Sequence, residues 1–128
     1  MKKIIKNQRR RNIRKTNPLF KLKESVSHRI RESLKNRGYT KRSKTSTYLC
    51  CSYEEFMIHL GPKPEGNIEL DHICPCAQGK TEEEVIKLQR YANFQWLPAE
   101  ENRTKSDNWT PKGEELCRTL LGREWIYR

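Results

Sequence analysis

Ile68-Glu69-Leu70-Asp71-His72-Ile73, then Asn93-Phe94-Gln95-Trp96-Leu97, then Pro98-Ala99-Glu100-Glu101-Asn102-Arg103-Thr104-Lys105 are the segments whose reading decides the fold. The first alternates apolar and polar residues, the period of a half-buried strand, and runs directly into an Asp-His pair. The second reads as another short strand. The third has the proline and early acids of a helix's first turn. Strand, loop, strand, helix is therefore expected over residues 68–105, with polar residues at the joints. Asp71 and His72 close the first strand and Asn93 opens the second. Asn102 and Lys105 sit three apart on one helical face, and Asp107 lies just beyond. Adjacent strand residues point to opposite faces, so Asp71 and His72 can share a site only if the strand bends or ends there. Pro75 and the loop to Gly79 are consistent with that.

Working outward, helices are expected on every side of this unit. Thr81 with Glu84 reads as a capping box opening a helix to about Arg90, inside the loop between the strands. Ser52 with Glu55 is another, opening Tyr53 to Leu60, which Gly61-Pro62 ends. Asn17-Pro18 opens a longer helix, with Asn at N-cap, Pro at N1 and Gly38 as the stop. Its Leu19, Leu22, Val26, Ile30 and Leu34 share one face, while Lys21, His28 and Lys35 lie opposite with Arg31 on the flank. Residues 38–47 read as a basic, Ser/Thr-rich linker. Thr110-Pro111 to Gly122 reads as one more capped helix, and no internal repeat is present. The expected fold class is α+β, mostly helical: a small two-strand-and-helix core with flanking helices and a basic N-terminal tail.

The 128 residues make one domain of ordinary size with a tail, and 34% hydrophobic against 34% charged leaves little material for a core. Residues 1–47 hold 17 Lys and Arg against 2 Glu, whereas residues 48–128 hold 10 against 14 Asp and Glu. A basic segment joined to a mildly acidic one reads as a handle for a polyanion attached to something else. Three parts are expected. Residues 1–16, with Arg9, Arg10 and Arg11, form a basic tail, disordered in solution. Residues 17–47 form a DNA-binding helix and linker, with Lys21, Arg31 and Lys35 as phosphate contacts. Residues 48–128 form the chemical domain with a C-terminal helix. No apolar run is long enough for a membrane span or signal peptide, so a cytoplasmic setting with five reduced cysteines is expected.

Asp71, His72, Asn93 and Asn102 carry chemistry as a set. Phosphodiester hydrolysis needs a base near neutral pKa and a cation on the leaving oxygen. Histidine is the natural base, and carboxylate plus amide oxygens suit a hard, hydrated ion, Mg²⁺ or Mn²⁺. Asp71-His72-Ile73-x-Pro75, Asn93-Phe94-Gln95-Trp96-Leu97 and Glu101-Asn102-Arg103-x-Lys105-Ser106-Asp107 together resemble the ββα-metal motif of the HNH endonucleases. The likeness is to the phage-type form with Asn as the last motif residue. Asn17-Pro18-Leu19-Phe20-Lys21-Leu22 and Cys51-Ser52-Tyr53-Glu54-Glu55-Phe56 also resemble segments flanking that motif in phage proteins.

The resemblance implies a metal-dependent DNA endonuclease acting on double-stranded DNA, with one Mg²⁺ or Mn²⁺ per site and no small-molecule cofactor. It implies His72 as general base, Asp71 and Asn102 as metal ligands, and Asn93 as the amide bracing the His72 loop. Lys105 and Arg103 are the phosphate contacts nearest the site. A phage or mobile-element homing-type enzyme in a host cytoplasm fits the small size. Two departures stand out: the 20 residues between His72 and Asn93 include a whole helix, and Asn102 in place of His disfavours a zinc-loving form of the site; separately, Cys50-Cys51, Cys74-x-Cys76 and lone Cys117 have the wrong pairing for a structural zinc. The alternatives are a catalytically silent nucleic-acid-binding protein with an HNH shape, and a membrane-surface protein that would leave the Asp-His…Asn…Asn pattern unexplained.

Overall fold

Helix α1 (Pro18–Lys35) begins where Asn17 and Pro18 place it: the Asn17 carboxamide oxygen accepts from the backbone N–H groups of Leu19 and Phe20. Its apolar face buries Leu22, Val26, Ile30 and Leu34, with Leu19 half-buried. The structure, a computed structural model, describes residues 17–127. The expected basic tail, Arg9, Arg10 and Arg11 included, lies outside the described residues.

A short helix, α2 (Thr45–Leu49), stands at the end of the stretch expected to be a linker. Its polar, Ser/Thr-rich composition hides two core side chains, Tyr48 and Leu49. The Tyr48 hydroxyl accepts from the backbone N–H of Arg42 at 3.0 Å and of Ser43 at 3.4 Å, closing the basic loop against the helix. Helix α3 (Tyr53–Leu60) starts on the complete Ser52–Glu55 capping box.

Strands β1 (Ile68–His72) and β2 (Phe94–Pro98) form one antiparallel pair in the register Leu70 to Trp96, Asp71 to Gln95 and His72 to Phe94. Between them lie a 3₁₀ turn (Cys76–Gln78), helix α4 (Glu82–Lys87) and a second 3₁₀ turn (Tyr91–Asn93). Thr81 caps α4, but the Glu84 carboxylate bonds the Lys80 N–H and Arg123, not the Thr81 backbone, so the expected box is only half made. Helix α5 (Ala99–Lys105) packs on both strands, and α6 (Pro111–Leu121) follows, capped by Thr110 and ended by Gly122 in the left-handed region. The fold is thus α+β, mostly helical, around one two-stranded sheet.

One core joins the four buried residues of α1 to Tyr48, Leu49, Phe56, Leu70, Val85 and Phe94. Helix α2 runs across residue 47, the boundary expected from the charge, and α1 is a wall of the same core, with the sparse apolar residues on either side buried against each other. A second cluster, Cys74, Leu88, Cys117, Leu120 and Trp125, seats α6 and the C-terminal segment on the loop after β1. Arg123 clamps Glu84 through two bonds of 2.9 Å and also donates to the Gln78 carbonyl. The Gln78 side chain in turn pairs with the backbone of Ile126. Gly113 lets α6 approach this loop closely: a Cβ there would lie 3.0 Å from the Ile73 carbonyl oxygen.

Candidate active site

The strand ends at His72, which resolves the geometric condition set by the sequence. Beyond it the Ile73 N–H bonds the Asn93 carbonyl at 2.7 Å and the chain turns away into the 3₁₀ segment. Asp71 and His72 consequently border one cleft of about 270 Å³. Asn102, Lys105, Ser106 and Asp107 line it from α5 and the turn after it, and Cys76 and Ala77 line it from the loop. Its opposite wall is α1, through Arg29, Glu32, Ser33 and Asn36, with Arg37 just beyond.

Each buried polar group on the sheet side is held. The Asp71 carboxylate, 3% exposed, takes the Lys105 ammonium on Oδ1 at 3.2 Å and the carboxamide of its cross-strand partner Gln95 on Oδ2 at 2.9 Å. Lys105 also donates to the His72 carbonyl at 2.9 Å. Asn93 is fully buried and staples both ends of the insertion: its Oδ1 accepts from the Cys74 N–H, and its Nδ2 donates to the carbonyls of Cys74 and Leu88. Asn102 donates to Glu69 at 3.2 Å, which leaves its carbonyl oxygen as a free acceptor.

His72 is positioned by Phe94 on the second strand and by Gln89, which belongs to no motif. Its ring packs at 4.5 Å on Phe94, which is itself edge-on to Phe56 at 5.5 Å. Its Nε2 lies 2.7 Å from Oε1 of Gln89, a fully buried side chain. The Gln89 amide nitrogen donates to the Val85 carbonyl at 3.0 Å and to the Cys76 thiol at 3.3 Å, so its oxygen must face the imidazole. His72 therefore carries its proton on Nε2 in the neutral form, and Nδ1 keeps the lone pair. The Cys76 thiol lies in the same cluster. Burial pushes it up, but an imidazolium at His72 when that ring is protonated, and hydrogen bonding with His72, Gln89 and Ser33, outweigh that and bring it to about 7. Burial, with Cys117 beside it, pushes the Cys74 thiol far up.

The residues expected to contact DNA divide. Lys105 is in the cleft, whereas Arg103 is exposed on the far side of α5 with its Nε near the Ala99 carbonyl. Arg31 and Lys35 are exposed on α1 away from the cleft, and Lys21 borders a separate apolar groove between α1 and α3. Gln89, Gln95 and Arg29 were not singled out by the sequence, where a lone glutamine or arginine in a helix or strand carries no signal of burial. Trp125 is core, and Trp109 is exposed and donates to Glu114.

Among the described residues, no group of three or more His, Cys, Asp or Glu side chains is arranged to hold a metal ion. Asp71 and Asn102 bring a carboxylate and a carboxamide oxygen to the His72 side of the cleft, with Asp107 and Glu32 also on its walls, and water would complete the shell. That set fits a hydrated Mg²⁺ or Mn²⁺ leaning on its substrate better than a zinc held by protein alone. Such an ion would compete with the Lys105 ammonium for Oδ1. Among the described residues, no helix is long and apolar enough to cross a membrane. Comparison with known proteins matches no family model, no curated protein and no solved structure.

Proposed function

We propose that this chain is a divalent-metal-dependent DNA endonuclease of the HNH type. The observation that carries the reading is the meeting in one cleft of Asp71 and His72, from the end of β1, with Asn102 and Lys105, from the helix that follows β2. The order of elements and the antiparallel pairing support this reading, with the helix-containing insertion between His72 and Asn93 as its departure.

In this reading His72 Nδ1 takes the proton of the attacking water, and the Gln89 oxygen steadies the imidazolium that forms. Asp71 and Asn102 hold the ion, which when bound supplies positive charge at the phosphate and the departing 3′ oxygen. Gln95 orients the Asp71 carboxylate. Lys105, once the ion takes its place at Asp71, is a cation on the cleft wall for the phosphate. Asn93 keeps the His72 loop in register. Double-stranded DNA is the substrate favoured by the basic segment 1–47. One such site cuts one strand, so a monomer nicks and a dimer is needed to break both. A phage or mobile-element source rests on the resemblance alone.

One observation favours a catalytically silent DNA-binding protein instead: the Asp71 charge is already balanced by Lys105. Supercoiled plasmid incubated with wild type and His72→Ala, each with Mg²⁺, Mn²⁺ or EDTA, separates the two readings. Open circles or linears from wild type alone, only with metal, and a loss of about 1000-fold in His72→Ala are expected. Binding without cutting in either metal would replace the nuclease with the binding module. Equal cutting by both proteins would remove His72 from the base role.

A further inference from the structure

Helix α1 turns to the cleft not its most basic face but one flank of its apolar stripe. At about 100° per residue Arg29 falls roughly 20° outside the arc of Leu22, Val26, Ile30 and Leu34, on the side opposite Arg31. The ββα unit packs against that flank, so Arg29, Ser33 and Asn36 line the cleft that Asp71, His72 and Asn102 line from the other side. Ser33 is occupied with the Arg29 carbonyl at 2.8 Å. The Arg29 guanidinium is not occupied. Its Nε is buried without a hydrogen-bond partner, and it is the sole such side-chain atom among the described residues. Neither Glu32, which shares the cleft, nor any other described carboxylate forms an ion pair with it.

A desolvated guanidinium edge without an acceptor is unfavourable, and proteins satisfy nearly all such groups. Arg29 lines the cleft and its Nε donates to no protein acceptor, and a guanidinium so placed suits a phosphodiester oxygen pair. Without metal the other cleft cations are placed differently: Lys105 is held by Asp71 and the His72 carbonyl, while Arg37 lies past the end of α1.

We infer that Arg29 is a phosphate clamp, taking from the α1 side the phosphodiester that His72 and Asn102 face from the sheet side. This rests on the cleft being the nucleic-acid site proposed above. The clamp makes α1 part of the reactive site and not merely a surface handle. It also leaves Arg31 and Lys35, on the solvent face, with at most a screened, long-range contribution.

The test compares full-length wild type, Arg29→Met, Arg29→Lys and Arg31→Met with a mixed-sequence duplex of about 20 base pairs. Binding is measured in EDTA by anisotropy at several salt concentrations, melting without DNA, and single-turnover cutting with Mg²⁺ at saturating protein. Arg29→Met should weaken binding about 5- to 10-fold and flatten the dependence of log K on log salt by about 0.9, one phosphate contact. Its Tm should hold or rise by about 4 °C, since the methionine stem fills the space without an unmet donor. A residue needed only for packing would lower Tm. Cutting should fall about 100-fold, more than binding does, with Arg29→Lys recovering binding better than cutting. Arg31→Met, which removes the same charge outside the cleft, should weaken binding less than Arg29→Met does and leave cutting at saturating protein within about twofold.

Binding and salt slope unchanged in Arg29→Met would overturn the clamp whether or not the wild type cuts. Weakened binding with the flatter slope supports it even if the wild type cuts no DNA in any metal. That last result would remove the nuclease reading and leave the phosphate site standing.

Discussion

The two walls of the cleft solve the same physical problem in opposite ways. On the sheet side Asp71, His72, Gln89 and Asn93 are all nearly or fully buried, and each has its partners inside the protein. On the α1 side Arg29 brings a cation to the same space and leaves its Nε with none. A fully satisfied polar network is rigid and fixes tautomer and orientation before any substrate arrives. An unsatisfied cation waits for one. The difference teaches that chemistry on the sheet side is pre-organised, while the helix side is completed only by a bound anion.

The sharpest way to break this view is to leave the sheet-side network incomplete. Gln89→Leu keeps volume but takes away the acceptor at His72 Nε2, so the imidazole is free to carry its proton on Nδ1, the wrong nitrogen for a base. Single-turnover cutting should fall about 100-fold, with duplex binding unchanged. If cutting survives intact, His72 does not depend on its buried partner and the pre-organised wall is a description without consequence. Any loss of duplex binding would mean that the substitution has disturbed the cleft itself.

Removing Lys105 tests the same wall through stability. Lys105→Ala leaves the Asp71 carboxylate, buried in the wild type, with only the Gln95 amide for company. Breaking a buried pair from one side is expected to cost about 3 kcal/mol in EDTA. Mg²⁺ at millimolar concentration should restore part of that loss in the variant and add less to wild type, because in wild type the ion must first displace an ammonium. Chemical denaturation with and without Mg²⁺ reads both numbers. A loss that Mg²⁺ does not touch would mean that Asp71 is a structural carboxylate and not a metal ligand.

How much of this was legible in the sequence follows from what kind of signal each feature has. The caps at Asn17, Ser52, Thr81 and Thr110 all accept the bonds their sequence implied, and both strands fall within a residue of expectation. Local signals suffice there, because a cap bonds to residues two or three away. The joints of the strand-strand-helix unit were legible for the same reason: Asp71, His72, Asn102 and Lys105 sit at element ends whose order alone brings them together. The helical wheel of α1 identified its buried face correctly but not its neighbour. Lys21 and Lys35 lie opposite the apolar arc with Arg31 on one flank, and the cleft took the other flank. Helix α2 was hidden because a serine- and threonine-rich segment ends in two aromatic and aliphatic core residues, Tyr48 and Leu49. Gln89 was hidden because burial of a glutamine is decided by what packs over it, here the end of β1, 17 residues away in sequence.

The smallest expected effect concerns what backs the satisfied wall. Arg123 grips Glu84 with two bonds and bridges to the Gln78 carbonyl, so the loop that carries Cys76 is tied to the C-terminal segment. Hydrogen bonds from Arg123 hold the Glu84 carboxyl below its ordinary value, against the opposing effect of burial. A carboxyl lowered in the folded state adds stability that is fully present above its unfolded value and is lost as pH falls through the folded one. Glu84→Gln should therefore cost about 1 kcal/mol at pH 7, and the difference from wild type should shrink to nothing as both proteins are titrated into the acid range. Because the pair sits behind the cleft and not in it, cutting and duplex binding at pH 7 should stay within about twofold of wild type. A loss of cutting larger than the stability change accounts for would mean that the loop's position, and not only the side chains on it, is set by the C-terminal segment, and the sheet-side wall would then extend to residue 123.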